Sequence, residues 1–456
     1  MSSELRLISR HAGTILVGQL AVMAFGVADT VIAGRYSDAA LAALSVGSAL
    51  YISVYVGLMG VLQALLPIWA EMLGGRRYQA VGPSVRQSLY LCGVISLAGM
   101  AVLLFPGPLL RWAQVPEAMQ GEVQRYLAVL AFALVPSLLF KLYATLNQSL
   151  SKPRLVTWLQ LVALAIKIPL SLWWVSGGAG VEAMGAVGCA WATLVVNYAL
   201  LALGVAMLRT QAIYRPFLLW QAMERPDWRQ IGSFLRLGLP GGLAYLVEVT
   251  SFTLMALFIA RLGTVASASH QVAASVATVL YMMPLSLAVA SSARVSYWLG
   301  AGQPEQARRV VFIVLRLSML VAVGVCALIL TARQFLAAWY SATPEVVAMA
   351  SSLLVWVAVY HVADALQALC AFLLRCYRIA LAPLVLYGIL LWGLGLYGGY
   401  QLAYAGLAGR AATQAASSFW AASTLAIGLV AVCLLGLLLR AAGRSRSGQA
   451  TGPQAS

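Results

Sequence analysis

Acidic side chains are scarce in this chain: 13 Asp and Glu stand against 29 Lys and Arg in 456 residues, and charged residues of all kinds make up 9%. So few charges cannot solvate the surface of a globular domain this size, and a hydrophobic share of 62% excludes a soluble fold. The three histidines are dispersed and form no nucleophile–His arrangement and no His/Cys metal cluster. Six cysteines, Cys92, Cys189, Cys326, Cys370, Cys376 and Cys433, lack ligand spacing and read as small apolar packing residues, not as a disulfide framework or zinc site. No G-x-x-x-x-G-K-[ST] phosphate loop occurs, so the chain is not expected to hydrolyse ATP itself. Without a catalytic set or cofactor motif the chain does not read as an enzyme. Any active transport must draw on a gradient.

What is present is lipid-facing sequence. Apolar runs reach the roughly 20 residues a spanning helix needs, and about twelve can be placed. Their centres lie near Met23, Leu58, Ile95, Phe132, Leu164, Val195, Glu248, Met283, Val321, Tyr360, Leu391 and Val430. An all-α polytopic membrane protein is therefore expected. The net charge of +16 is distributed by side: Arg76, Arg77, Arg86, Lys152, Arg154 and Arg375 are among many basic residues assigned to even-numbered loops. The opposite loops hold far fewer. This positive-inside asymmetry sets both termini in the cytoplasm and makes a nucleic-acid partner unnecessary. Met1–His11 leads into a first span with no evident cleavage site, so it reads as an uncleaved helix. The Gly/Ser/Gln-rich stretch 443–456 reads as a disordered tail.

An internal repeat divides the chain. At an offset of 226, Arg35 falls on Arg261, Val46 on Val272, Tyr55 on Tyr281, Leu73-Gly74 on Leu299-Gly300 and Lys152 on Arg378. Two six-span halves would share one orientation, a parallel-repeat arrangement. The expected lobes are 1–225 and 226–442, joined by the Arg- and Pro-containing loop from about Arg209 to Gly232.

Three carboxylates lie inside spans: Asp29, Glu248 and Asp364. A charge at the bilayer centre costs about 2.5–3.5 kcal/mol on insertion scales, so such a group normally faces a partner or a wet cavity. The repeat does not reproduce them, since Asp29 falls on Met255, Glu248 on Val22 and Asp364 on Leu138. Tyr360, His361, Asp364 and Gln367 share one helical face, as do Tyr245, Glu248 and Phe252. These spacings fit an ion relay, or equally an interhelical polar network with no further role. For Asp29 the alternative is an ion pair with Arg35, about a turn and a half further on. Tyr55 in the second span, and Gln271, Tyr281 and Met282 in its repeat partner, are candidate cavity-lining residues beside a packing role. Lys141 and Lys167 have no partner that the sequence assigns.

The chain resembles the multidrug and toxic compound extrusion (MATE) family of the bacterial NorM type. The resemblance rests on ADTVIAGR at Ala28–Arg35, PGGLAYLVE at Pro240–Glu248, HQVA at His270–Ala273, LGAGQPEQARR at Leu299–Arg309, DALQ at Asp364–Gln367 and LLR at Leu373–Arg375. KIPLS at Lys167–Ser171 is similar, with Ser171 where the family often has Asn, and His361 stands where a Gln is frequent. The resemblance implies two six-helix lobes opening alternately to each side, and export of bulky, often cationic drugs or dyes in exchange for sodium or protons. It implies that Asp29, Glu248 and Asp364 are cation-coupling positions, with sodium, if sodium is the ion, at Glu248 and Asp364. A monomer in the bacterial inner membrane, acting on cationic amphiphiles, is expected. The competing expectation is a lipid-linked oligosaccharide flippase, whose anionic cargo would favour basic rather than acidic mid-span residues.

Overall fold

The computed structural model describes residues 2–112, 115–178, 180–406 and 411–447, and these are helical throughout apart from short connections and one isolated bridge between Gly178 and Val181. In order the helices are α1 (Ser2–Tyr36), α2 (Asp38–Gln63), α3 (Leu65–Gly74), α4 (Tyr78–Leu104), α5 (Gly107–Trp112), α6 (Glu117–Ser149), α7 (Pro153–Ser176) and α8 (Ala186–Thr210). They continue as α9 (Trp228–Ala260), α10 (Thr264–Gly300), α11 (Pro304–Tyr340), α12 (Pro344–Cys376), α13 (Leu381–Leu386), α14 (Gly398–Tyr400) and α15 (Ala416–Ser447). Twelve helical stretches among the described residues are long and apolar enough to cross a membrane, and each contains one of the expected centres. The polytopic all-α fold is as the sequence implied.

Local chemistry starts and stops these helices. Proline opens α7, α11 and α12, where its missing N–H costs nothing, and Ser37 caps α2 by accepting from the Ala40 amide at 3.1 Å. The repeat reappears in the helix ends. Arg76 donates to Leu73 and Arg77 to Met72; 226 residues later Gly302 donates to Leu299 and Gln303 to Trp298. Both are Schellman closures around a left-handed residue, Arg76 at φ 56° and Gly302 at φ 69°. A second pair joins Ser151 and Lys152 to Gln148 and Asn147, matched by Arg378 and Ile379 on Arg375 and Leu374. Here the structural equivalent of Arg378 is Ser151, so the Lys152–Arg378 pairing read from the sequence is shifted by one residue.

The chain forms two compact units, Thr14–Gly242 and Met1–Gly13 with Leu243–Ser456. The division lies at 242/243 rather than at the 225/226 boundary expected from the internal repeat, and packing explains why. The first half of α9 lies backbone-close on α2: a Cβ at Gly238 would sit 2.6 Å from the Val61 carbonyl oxygen, and one at Gly242 would sit 2.4 Å from that of Gly57. At the other end, Glu4 pairs with Arg294 at 3.0 and 2.5 Å and joins the first residues of α1 to the second unit. α15 continues to Ser447, past the 442 expected for the last span, while residues 448–456 of the expected tail lie outside the described residues.

The segment between α8 and α9 is a strap rather than a free linker. Arg86, an interior residue of α4 and 2% exposed, holds Glu224 through two guanidinium nitrogens and donates to the Leu218 carbonyl at 2.7 Å. Gln87 both donates to the Arg225 carbonyl and accepts from the Asp227 amide, at 2.9 and 2.8 Å, and Tyr90 donates to the Glu224 carbonyl at 2.9 Å. Arg86 was assigned to a loop on charge alone. It is instead a buried clamp whose partner lies 138 positions away.

Candidate functional site

In the second unit α9, α10, α12 and the segment after α13 bring one polar cluster together. Asp364 on α12 is 4% exposed and accepts from the Gln367 amide at 2.9 Å, one helical turn away. Gln367 is wholly buried and in turn accepts from the Tyr387 hydroxyl. A fixed relay therefore runs Tyr387 to Gln367 to Asp364. Tyr387 begins an unusually wide helical stretch, Tyr387–Tyr397, with i→i+5 hydrogen bonding, followed after α14 by a second one at Gln401–Ala405. Such widened turns are rare and concentrate at functional sites.

Glu248 on α9 is half-buried, and no protein hydrogen bond reaches its carboxylate among the described residues. Its electrostatic neighbours are Asp364 and Arg375. Tyr281, Tyr360 and Tyr387 each lie within electrostatic reach of both carboxylates. Beside them Phe252, Tyr360 and Trp420 form a mutually edge-on trio with ring centroids 5.9, 6.2 and 5.9 Å apart. An acid pair walled by aromatic rings is chemically suited to cations, which gain from the carboxylate charge and from the ring faces together.

The structure therefore gathers Tyr245, Glu248, Tyr281, Tyr360, Asp364 and Gln367 into one site, with Phe252 at its aromatic edge. His361 is buried on the same helix at 3% exposure. Met282 is half-buried next to Tyr281. Gln271 is exposed; its neighbour His270 is the buried one and accepts at Nδ1 from Trp420 at 3.2 Å. Tyr55 belongs to the first unit, where it stacks on Tyr51 at 5.9 Å.

Asp29 is also in the first unit and has a different environment. The Lys167 ammonium donates to both its carboxylate oxygens, at 2.9 and 2.8 Å, and to the Thr193 hydroxyl at 2.9 Å. All three ammonium protons are thereby used. Ser171 adds a hydrogen bond to Asp29 at 3.1 Å, and the Phe25 ring lies 5.8 Å from the ammonium. The expected alternative partner, Arg35, is exposed instead. Its position at the helix end turns it outward, whereas Lys167 on α7 reaches the acid from a neighbouring helix.

Three contributors escaped the sequence reading. Tyr387 and Trp420 were hidden in spans read as uniformly apolar. Arg375 was counted with the loops, yet it closes α12 at 5% exposure with its guanidinium 4.7 Å from the Phe372 ring centroid and 5.6 Å from that of Tyr245. Helical spacing could have found it: it lies about three turns beyond Asp364 on the same face. No group of three or more His, Cys, Asp or Glu suited to a metal ion occurs among the described residues.

The MatE family model matches residues 14–173 and 240–401. The chain is 39% identical over 434 residues to the "Probable multidrug resistance protein NorM" of Aromatoleum aromaticum, covering 94% of this chain and 92% of that one. It is 34% identical over 397 residues to the protein of the same description in Chromobacterium violaceum, covering 86% and 85%. In fold it is similar to the crystal structure of the eukaryotic MATE transporter AtDTX14, with a TM-score of 0.86, 20% identity and 98% of each chain covered.

Proposed function

Since the chain belongs to the MATE family, a family of membrane transporters and not of enzymes, we propose that it is a secondary active antiporter that exports lipophilic cationic drugs and dyes in exchange for sodium ions or protons, by alternating access. The observation that carries this reading is the Glu248 carboxylate, half-buried and without a hydrogen bond beside Asp364 in an aromatic surround. An unpaired acid in that setting attracts either a small cation or a lipophilic one. Both draw on the same charge, so each weakens the other's binding, and linkage makes the effect reciprocal. Alternating exposure of the site converts this competition into exchange. Asp29, already holding the Lys167 ammonium, acts in this scheme as a supporting ion pair. The protein works as a monomer in the bacterial inner membrane with both termini in the cytoplasm.

The test is reconstitution into lipid vesicles with an imposed sodium or pH gradient and a fluorescent lipophilic cation as reporter. Wild type should move the dye against its own gradient only while the ion gradient lasts. The Glu248→Gln plus Asp364→Asn variant should lose that dependence. Equal gradient-driven transport by both proteins would refute the coupling role.

A further inference from the structure

The polar cluster holds a guanidinium that the exchange scheme leaves unused. Arg375 is 5% exposed, and its Nη1 is buried with no hydrogen-bond partner. Buried donors are almost always satisfied, and buried charges almost always paired. Lys167, Arg86 and Arg294 follow that rule, each with a carboxylate within 3.0 Å or less. Arg375 forms no such bridge among the described residues. Instead its guanidinium faces the Tyr245 ring at 5.6 Å, and Tyr245 precedes Glu248 by one helical turn on the same face of α9. It lies within electrostatic reach of Glu248 without touching it.

We infer that Arg375 is the built-in counter-cation of Glu248, and that it limits this site to cargo carrying a single positive charge. The inference rests on the reading of the Glu248–Asp364 pair as the site where cargo and coupling ion compete. With both acids ionised and no ion bound, the pair alone would carry two negative charges. Arg375 cancels one of them through space and leaves a net charge of one. A monovalent ion or a singly charged drug then brings the cluster to neutrality, the state a low-dielectric interior favours. A dication would leave one unit of positive charge buried. The first unit shows the same arrangement taken to completion: Lys167 cancels Asp29 by direct contact, leaving no charge for cargo. Contact with Asp29 and separation from Glu248 distinguish a closed pair from one that still admits a ligand.

The test uses tetraphenylphosphonium and an alkane-bridged bis-triphenylphosphonium, a monocation and a dication of one chemistry, and compares their affinities for purified full-length protein. Arg375→Gln should raise the affinity of the dication relative to the monocation by roughly tenfold or more, the scale expected for one unit charge several ångströms away in a partly screened interior. Arg375→Lys keeps the charge and should retain the wild-type ratio. Asp364→Asn combined with Arg375→Gln restores the net charge of one and should return the ratio to the wild-type value. Asp364→Asn alone, with Arg375 in place, leaves the cluster neutral and should lower the ratio by a comparable factor. It tests the charge count should the single glutamine variant fail to fold, an unchanged ratio there overturning it. An unchanged ratio in Arg375→Gln would overturn the inference, as would an equal shift in Arg375→Lys, since that would mark an effect of volume. If Glu248→Gln leaves monocation affinity unaltered, the assignment of the site itself fails, whatever Arg375 does.

Discussion

The environments of Asp29 and Glu248 differ at the level of single bonds. Asp29 is bound by an ammonium that has no free proton left, whereas Glu248 has no protein donor among the described residues. Breaking a buried pair by removing one partner leaves an uncompensated charge and typically costs about 3–5 kcal/mol. Lys167→Met alone is therefore expected to lower thermal stability in detergent sharply. Asp29→Asn combined with Lys167→Met removes both charges and should cost less than that single change. A double variant as unstable as the sum of its two parts would contradict the paired assignment. Glu248→Gln should cost little stability by the same assay, because it removes no hydrogen bond.

At the level of elements, the strap between α8 and α9 shows what periodicity cannot reveal. A Cβ at Gly82 would sit 2.1 Å from the Phe217 carbonyl oxygen, so Gly82→Val must lift the strap from α4. Faster chymotryptic cleavage after the exposed Trp220 is the expected result, for Gly82→Val and for Arg86→Gln alike. Unaltered cleavage would mean the strap is held elsewhere. The hydrogen bond from Arg86 holds the Glu224 carboxyl below its ordinary range. A lowered acid contributes its stabilisation above the ordinary carboxyl value, about 4.3, and loses it as pH falls through the lowered one. Digestion of the strap by an acid-active protease should therefore accelerate with falling pH below about 4, and Glu224→Gln should abolish that acceleration.

The same elements explain what could be read in advance. Spans, their number and the repeat were legible because apolar runs and a constant offset are local or periodic signals. Glu248, Asp364, Tyr360 and Gln367 were legible because polar residues at helical spacing stand out in an apolar run. Contacts between distant helices left no such trace. Lys167 meets Asp29 and Arg86 meets Glu224 across 138 positions in each case. Tyr387 reaches Gln367 from a separate helical segment, 20 positions further along the chain. Arg375 was misassigned because a basic residue at a span end usually belongs to the interface, whereas its spacing from Asp364 and its burial place it on the inner face of α12.

For the whole molecule, the internal repeat builds two units of similar construction, but the charge chemistry differs between them. One unit closes its acid with a lysine; the other leaves a carboxylate pair with a single arginine nearby. The account's central claim is that cargo and coupling ion compete for that open pair. Competition of this kind must run in both directions, because linkage is reciprocal. The most direct measurement imposes a gradient of tetraphenylphosphonium alone across reconstituted vesicles, with no sodium or pH gradient, and follows ion movement with sodium- and pH-sensitive dyes. Wild type should drive sodium or protons in the direction opposite to the cargo, and the Glu248→Gln plus Asp364→Asn variant should not. Absence of ion movement in wild type, or its persistence in the variant, would contradict the account.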